Sequence, residues 1–354
     1  MPVPPSRRRR ATGLLAALAL GLAAFTPAAA SGRAAPADPV VTPLALPDEG
    51  YGFSGGAELL SRSPQGLARE LDAVARTSAS WLRVPVTWRD VEKRQGSYTW
   101  APLDRVVKAA RARDLRILGV LAYSPPWAAV NTSDTAPPED PAAYARFAKA
   151  AATRYRTEIT SWEIWNEPNL ARFFGGVQDS PEVLATLLRA AYPAIKSVQP
   201  GATVVTGGLS KTSNSTIAPG TFLTRLYAAG AGPYFDAVGF HPYIAGGNVV
   251  ADSVRVRADI VGLYTQMTLR GDLGKKIWMT EFGNSTYKGG VTEQRQAEII
   301  ALELTTAASL PFAGPSIVYS IRDRGTNRSL AAQNFGALLT KDWRPKLTAA
   351  MLAD

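Results

Sequence analysis

The sequence has no cysteine and a single histidine, His241. The first absence removes disulfides, thiolate metal sites and cysteine nucleophiles. The second removes zinc sites built from several histidines and makes any serine–histidine triad depend on one residue. No Ser/Gly linker, low-complexity run or repeat module interrupts the body of the chain, so a single domain is expected. The formal charge is +10, from 39 basic and 29 acidic residues. Four of the basic residues are Arg7 to Arg10, which leaves 35 against 29, or +6, in the remainder. These residues are dispersed and form no stripe, which argues against a nucleic-acid partner.

The start of the chain reads as a targeting segment. Arg7 to Arg10 make a positive region, Gly13 to Phe25 an apolar one, and Ala28-Ala29-Ala30 a small-residue cleavage site. Residues 1–30 are therefore expected to be a secretory signal peptide, with Sec and twin-arginine export both open and the product extracellular. The apolar region is short for a bilayer, so stable membrane insertion is not expected. Residues 31–48, rich in Ala and Pro, read as a flexible lead-in, and 49–354 as the folded domain.

Within that domain, eight short apolar runs recur at roughly 30 to 45 residues, the length of a βα unit. They lie near Tyr51 to Ala57, Trp81 to Val86, Arg116 to Tyr123, Ser161 to Asn166, Thr203 to Leu209, Ala237 to Tyr243, Lys276 to Glu281 and Ser316 to Ile321. Helical stretches separate them. One opens at Ser180-Pro181-Glu182, read as N-cap, N1 proline and first-turn acid, and another at Thr292-Glu293. Strands and helices alternating in this number predict an α/β fold, a single eight-stranded (β/α)8 TIM barrel.

Chemistry on such a barrel sits at the C-terminal ends of the strands. That rule selects Trp88, the turn from Ser124 to Trp127, Asn166-Glu167, His241 to Tyr243, Glu281 and the segment after Ser320. Two of these positions are carboxylates among aromatic rings, in Trp162-Glu163-Ile164-Trp165-Asn166-Glu167-Pro168 and Trp278-Met279-Thr280-Glu281-Phe282-Gly283. Cleaving a glycosidic bond requires such a pair, one to protonate the departing oxygen and one to attack the sugar or activate water.

The fourth-strand Asn-Glu-Pro and the seventh-strand Thr-Glu-Phe-Gly resemble the acid/base and nucleophile signatures of glycoside hydrolase clan A, most like family 39 and related cellulase-like barrels. Leu82-Arg83-Val84-Pro85, Tyr123-Ser124-Pro125-Pro126-Trp127 and Gly239-Phe240-His241-Pro242-Tyr243 extend the match over nearly the whole body. The resemblance implies a retaining hydrolase of O-glycosidic bonds, expected to be β, in a polysaccharide or oligosaccharide, with Glu167 as acid/base, Glu281 as nucleophile and carboxyl groups roughly 5 Å apart; the leader pattern adds that it is secreted. Burial and the second charge are expected to keep Glu167 protonated.

Arg83 is expected either to hold Glu281 ionised or to pair with Glu163, read as a barrel-interior ion-pair partner on the same strand face as Trp165. Asn166 resembles the residue that bonds the sugar 2-hydroxyl, and His241 and Tyr243 resemble residues that orient nucleophile and substrate. Trp88 and Trp127 are each either a stacking platform or a packing anchor. Where many clan members place a tryptophan after strand eight, this chain has Tyr319 and Arg322-Asp323-Arg324, which offers a different floor or a positively charged subsite. No metal or organic cofactor is called for, and oligomeric state is not legible. A non-hydrolytic carbohydrate-binding barrel and a transglycosylase are the competing readings.

Overall fold

The computed structural model describes residues 44–211 and 216–353. The expected signal peptide and most of the lead-in lie outside these residues. Leu44 and Leu46, at the end of the lead-in, pack against the core.

Eight parallel strands close into one barrel in chain order. They are β1 (Tyr51–Ser54), β2 (Trp81–Thr87), β3 (Arg116–Ala122), β4 (Ser161–Asn166), β5 (Thr203–Ser210), β6 (Ala237–His241), β7 (Lys276–Phe282) and β8 (Ala313–Tyr319). All eight expected strands are present, and the ends differ where local signals mislead. The last strand begins at Ala313, before Gly314-Pro315, a pair that reads as a breaker. A Cβ on Gly314 would lie 2.3 Å from the Trp278 indole, so the glycine is there for close approach inside the sheet.

The strands are buried nearly end to end because helices cover one face and the barrel interior the other. Trp81, Leu118, Val205, Ala237, Trp278 and Ile317 come from six different strands and pack on one another. Such a set can meet only inside the barrel. The larger core lies between strands and helices and holds Tyr144, Phe147, Phe222 and Trp162. Helix Glu293–Ala308 starts as expected, with Thr292 Oγ1 accepting from the Arg295 N–H at 3.1 Å. Helix Ser180–Lys196 starts one residue early, with Asp179 rather than Ser180 at the N-cap and Pro181 in the first turn. No helix among the described residues is long and apolar enough to cross a membrane.

One buried acid is outside all of the expected chemistry. Glu303 is 1 % exposed, and neither carboxyl oxygen has a hydrogen-bond partner. Burial, and then the charge of Asp252, raises its pKa well above the usual range. The native state therefore holds this proton more tightly than the unfolded chain does. Its contribution to stability is full below the ordinary carboxylate pKa and is lost as pH rises through the raised value. Glu303→Gln, which cannot ionise, is expected to flatten the fall in Tm as pH rises from the ordinary carboxylate range through the raised value. Thermal melts of both proteins across that range check it, and parallel curves would contradict it.

Candidate active site

The site begins with a break in the geometry of β4. Trp165 has φ +75° and Glu167 φ +45°, a left-handed conformation that costs side-chain-bearing residues about 1–3 kcal/mol each. Period-two alternation fails there, which corrects the placement of Glu163 and Trp165 on one face. Glu163 points into the barrel, where it is fully buried. Trp165 instead meets Tyr144 and Phe174 and donates its indole N–H to Phe173 O at 2.8 Å. Asn166 and Glu167 are both delivered to the barrel mouth.

Arg83, on β2, ties the site together. Its Nε donates to Glu163 at 2.7 Å, Nη1 to Glu281 at 2.8 Å and Nη2 to Asn166 Oδ1 at 2.7 Å. The two roles weighed for it are held at once, one per nitrogen. Burial alone would lower its pKa, but the charges of Glu163 and Glu281 outweigh that and raise it. The other oxygen of Glu281 accepts from the Tyr243 hydroxyl at 2.5 Å. Burial, with Glu281 and Glu167 nearby, raises Tyr243 well above an ordinary phenol and so keeps its donating proton. Asn166 Nδ2 donates to the Tyr123 hydroxyl at 3.3 Å.

On the other side, His241 Nδ1 lies 3.0 Å from Glu167 Oε1, and Nε2 lies 3.1 Å from Thr280 Oγ1. For Glu167, burial pushes the pKa up. The hydrogen bond and charge of His241, helped by Ser210 and Arg172, overcome it, so the carboxyl lies below its ordinary value. Burial thus does not by itself keep Glu167 protonated, because the imidazole opposes it.

Ligand atoms of Glu167, His241 and Glu281 all lie within 4.8 Å of one another. Glu281 is already bound by a guanidinium and a phenol, and Glu167 by the imidazole of His241, so each of the three already has a partner in the protein.

Six of the eight residues singled out from sequence therefore converge: Glu167, Glu281, Arg83, Asn166, His241 and Tyr243. Trp88 does not. It is fully buried, stacked on Phe147 with its N–H on Glu92 at 2.6 Å, and has no face left for a sugar. Trp127 meets Trp88 edge-on and donates to Glu92 O at 2.9 Å, as a partly exposed loop anchor.

The positively charged subsite offered by residues 322 to 324 is also reduced. Arg322 is buried against Glu70 at 2.8 Å and over the Trp343 ring, and Asp323 accepts from the Gly336 N–H. Arg324 is paired with Glu58, and its charge acts on Tyr319. It also lines a cleft of about 610 Å³ with Glu58, Tyr287, Gln333 and Lys341. Tyr319, its pKa pushed up to about 12 by burial and then by Glu281, meets Phe335, which also packs on Tyr243.

Sequence reading missed Thr280 and Phe335. Thr280 adjoins Glu281 with no motif of its own, and Phe335 sits in a loop whose path no period predicts.

The family model of cellulase, glycosyl hydrolase family 5, matches residues 56–314. No curated protein sequence matches the chain. Similar solved structures include a family 39 glycoside hydrolase from the gut symbiont Bacteroides cellulosilyticus WH2, at 22 % identity and TM-score 0.66, covering 87 % of this chain and 64 % of that one. This chain thus spans less than two thirds of that protein. A monomeric β-xylosidase from Caulobacter crescentus CB15 aligns at 16 % identity and TM-score 0.65 over 87 % of this chain and 68 % of that one. Xylanase 10B from Thermotoga maritima aligns at 15 % and 0.63 over 87 % and 94 %. At these identities the structures establish the barrel, while the family model takes in well over half of the sequence. By that match the chain belongs to the cellulase family, glycosyl hydrolase family 5, of clan A.

Proposed function

We propose that this protein is an exported glycoside hydrolase that cleaves β-linked sugars of a polysaccharide or oligosaccharide with retention, Glu281 acting as nucleophile and Glu167 as acid/base. The observation that carries this reading is the approach of the two carboxylates to within 4.8 Å at the barrel mouth. Retaining pairs stand roughly 5 Å apart, and inverting pairs wider, to admit a water. Export is supported by the Arg7 to Arg10, Gly13 to Phe25 and Ala28 to Ala30 pattern.

In the first step Glu281 attacks the anomeric carbon as the bond to the leaving oxygen breaks, and that oxygen takes the proton of Glu167. In the second, water attacks the same carbon, Glu167 removes its proton, and the ester to Glu281 breaks. Arg83 and Tyr243, each donating to one oxygen of Glu281, hold and aim it. Asn166, its Oδ1 held by Arg83 and one N–H on Tyr123, has a second amide N–H with which to meet the 2-hydroxyl.

Glu167→Ala is expected to lower kcat/KM on unactivated glycosides by about 10²–10⁴, with far smaller losses on aryl glycosides whose leaving groups need no proton. Azide should restore turnover and give a β-glycosyl azide. Equal losses on both substrate types, with no azide product, would reject Glu167 as the acid/base.

A further inference from the structure

The hydrogen bonds beneath Glu167 fix where protons can sit. Glu163 is fully buried and held by three donors: Arg83 Nε at 2.7 Å, the Gly208 N–H at 2.9 Å and Thr280 Oγ1 at 3.0 Å. Both oxygens of Glu163 already accept from groups that can only donate, the Arg83 guanidinium on one and the Gly208 amide on the other, so the one hydroxyl proton of Thr280 is directed to Glu163. Thr280 Oγ1 then presents a lone pair to His241 Nε2, 3.1 Å away, and Nε2 must carry a proton to meet it. The backbone at Gly208 packs closely against this contact. A methyl on Gly208 would fall 2.0 Å from Nε2 and 2.6 Å from Thr280 Oγ1.

With Nε2 protonated, the 3.0 Å contact between Nδ1 and Glu167 needs a proton of its own. Without one, a carboxylate oxygen would face a nitrogen lone pair. We propose that Thr280, oriented by Glu163, excludes the Nδ1–H neutral tautomer of His241 and thereby keeps a transferable proton on the Glu167–His241 pair. Thr280 and Glu163 are thus positioning residues for the acid/base, an assignment that rests on the catalytic roles proposed above. When the proton passes to the leaving oxygen, the pair is left with two opposed lone pairs. That state favours recovery of a proton from the incoming water, the base half of the cycle. The other groups facing the pair are Ser210 from β5, Arg172, Glu281 from β7, Tyr243 and Tyr123, the last two raised and neutral.

His241 is the only histidine in the sequence, so protein labelled with ¹⁵N-histidine reports a single ring. The expected spectrum shows Nε2 protonated throughout the active pH range, with no neutral Nδ1–H tautomer. A wild-type ring with bare Nε2 and protonated Nδ1 would overturn the proposal, whatever any variant does.

Thr280→Val, which removes the hydroxyl at equal volume, is expected to shift the ring to the Nδ1–H tautomer. It should move the basic limb of the kcat/KM profile to lower pH and slow unactivated glycosides about 10–100-fold, with less than about threefold loss on dinitrophenyl glycosides. Thr280→Ser should restore all three readouts. A Thr280→Val enzyme with unchanged pH profile and leaving-group dependence would refute the relay, and if that variant does not fold, the wild-type spectrum decides. Labelling with a 2-fluoro glycoside separates this from the underlying reading. Wild-type enzyme that hydrolyses glycosides without an adduct on Glu281 overturns the proposed mechanism, while the ring spectrum still judges the hydrogen-bond chain.

Discussion

Glu281→Gln is expected to abolish hydrolysis, with kcat lowered by a factor on the order of 10⁴ or more, while the protein stays folded. The amide is nearly the shape of the carboxylate but has no charge with which to attack the anomeric carbon. It also keeps only one acceptor. Arg83 Nη1 and the Tyr243 hydroxyl each donate to an oxygen of Glu281, so one donor will meet an NH₂ group instead. Such a mismatch costs about 1–3 kcal/mol, a Tm change of several degrees and not a lost fold. Circular dichroism and melting curves establish folding, and product assays measure the loss. Turnover within tenfold of wild type on unactivated glycosides would exclude Glu281 as nucleophile. The same variant should carry no label after exposure to a 2-fluoro glycoside that adds mass to the wild-type enzyme.

Arg83→Met is expected to damage stability and turnover together. The thioether fills the space of the stem but leaves Glu163, fully buried, without its cation. Removing one partner of a buried pair costs about 3–5 kcal/mol, because the remaining charge is then uncompensated. The expected fall in Tm is on the order of 10 °C. Turnover falls as well, since Glu281 loses its charge-assisted bond and Asn166 its anchor. The double variant Arg83→Met/Glu163→Gln separates the two effects. It should recover part of the Tm, because the orphaned charge is gone, and none of the activity. Full recovery of activity in the double variant would show that Arg83 serves only the interior pair. Lysine is not an adequate replacement, because three acceptors at 2.7 to 2.8 Å are met here by the three separate nitrogens of one planar fork.

The features legible in the sequence were those set by short-range rules. Apolar runs at βα spacing gave the closed barrel, and the rule that chemistry sits at strand C-terminal ends picked out Glu167, Glu281, Arg83, Asn166, His241 and Tyr243, which the structure brings together. Errors arose where a residue's surroundings, and not its position along the chain, decide its part. Trp88 follows directly on β2 and was eligible to stack on sugar, but Phe147 and Tyr144 from the next layer enclose it. Arg322 and Asp323 follow β8 as a charged run, yet Glu70 and Lys346 draw both inward. Glu163 and Trp165 share a face by counting, and the left-handed backbone at Trp165 separates them.

The sequence alone determined the architecture, the place of Glu167 and Glu281 at strand ends and the absence of cysteine chemistry, because periodicity, strand-end position and composition are local or additive properties. Only the tertiary structure decided that Arg83 serves Glu163, Glu281 and Asn166 at once, and that His241 is held between Glu167 and Thr280. Those partners come from β2, β4, β6 and β7, strands far apart in the chain whose side chains meet only after the barrel closes. A hydrogen bond depends on a few tenths of an ångström and on which atom carries the proton, and neither is encoded in the order of residues along one strand.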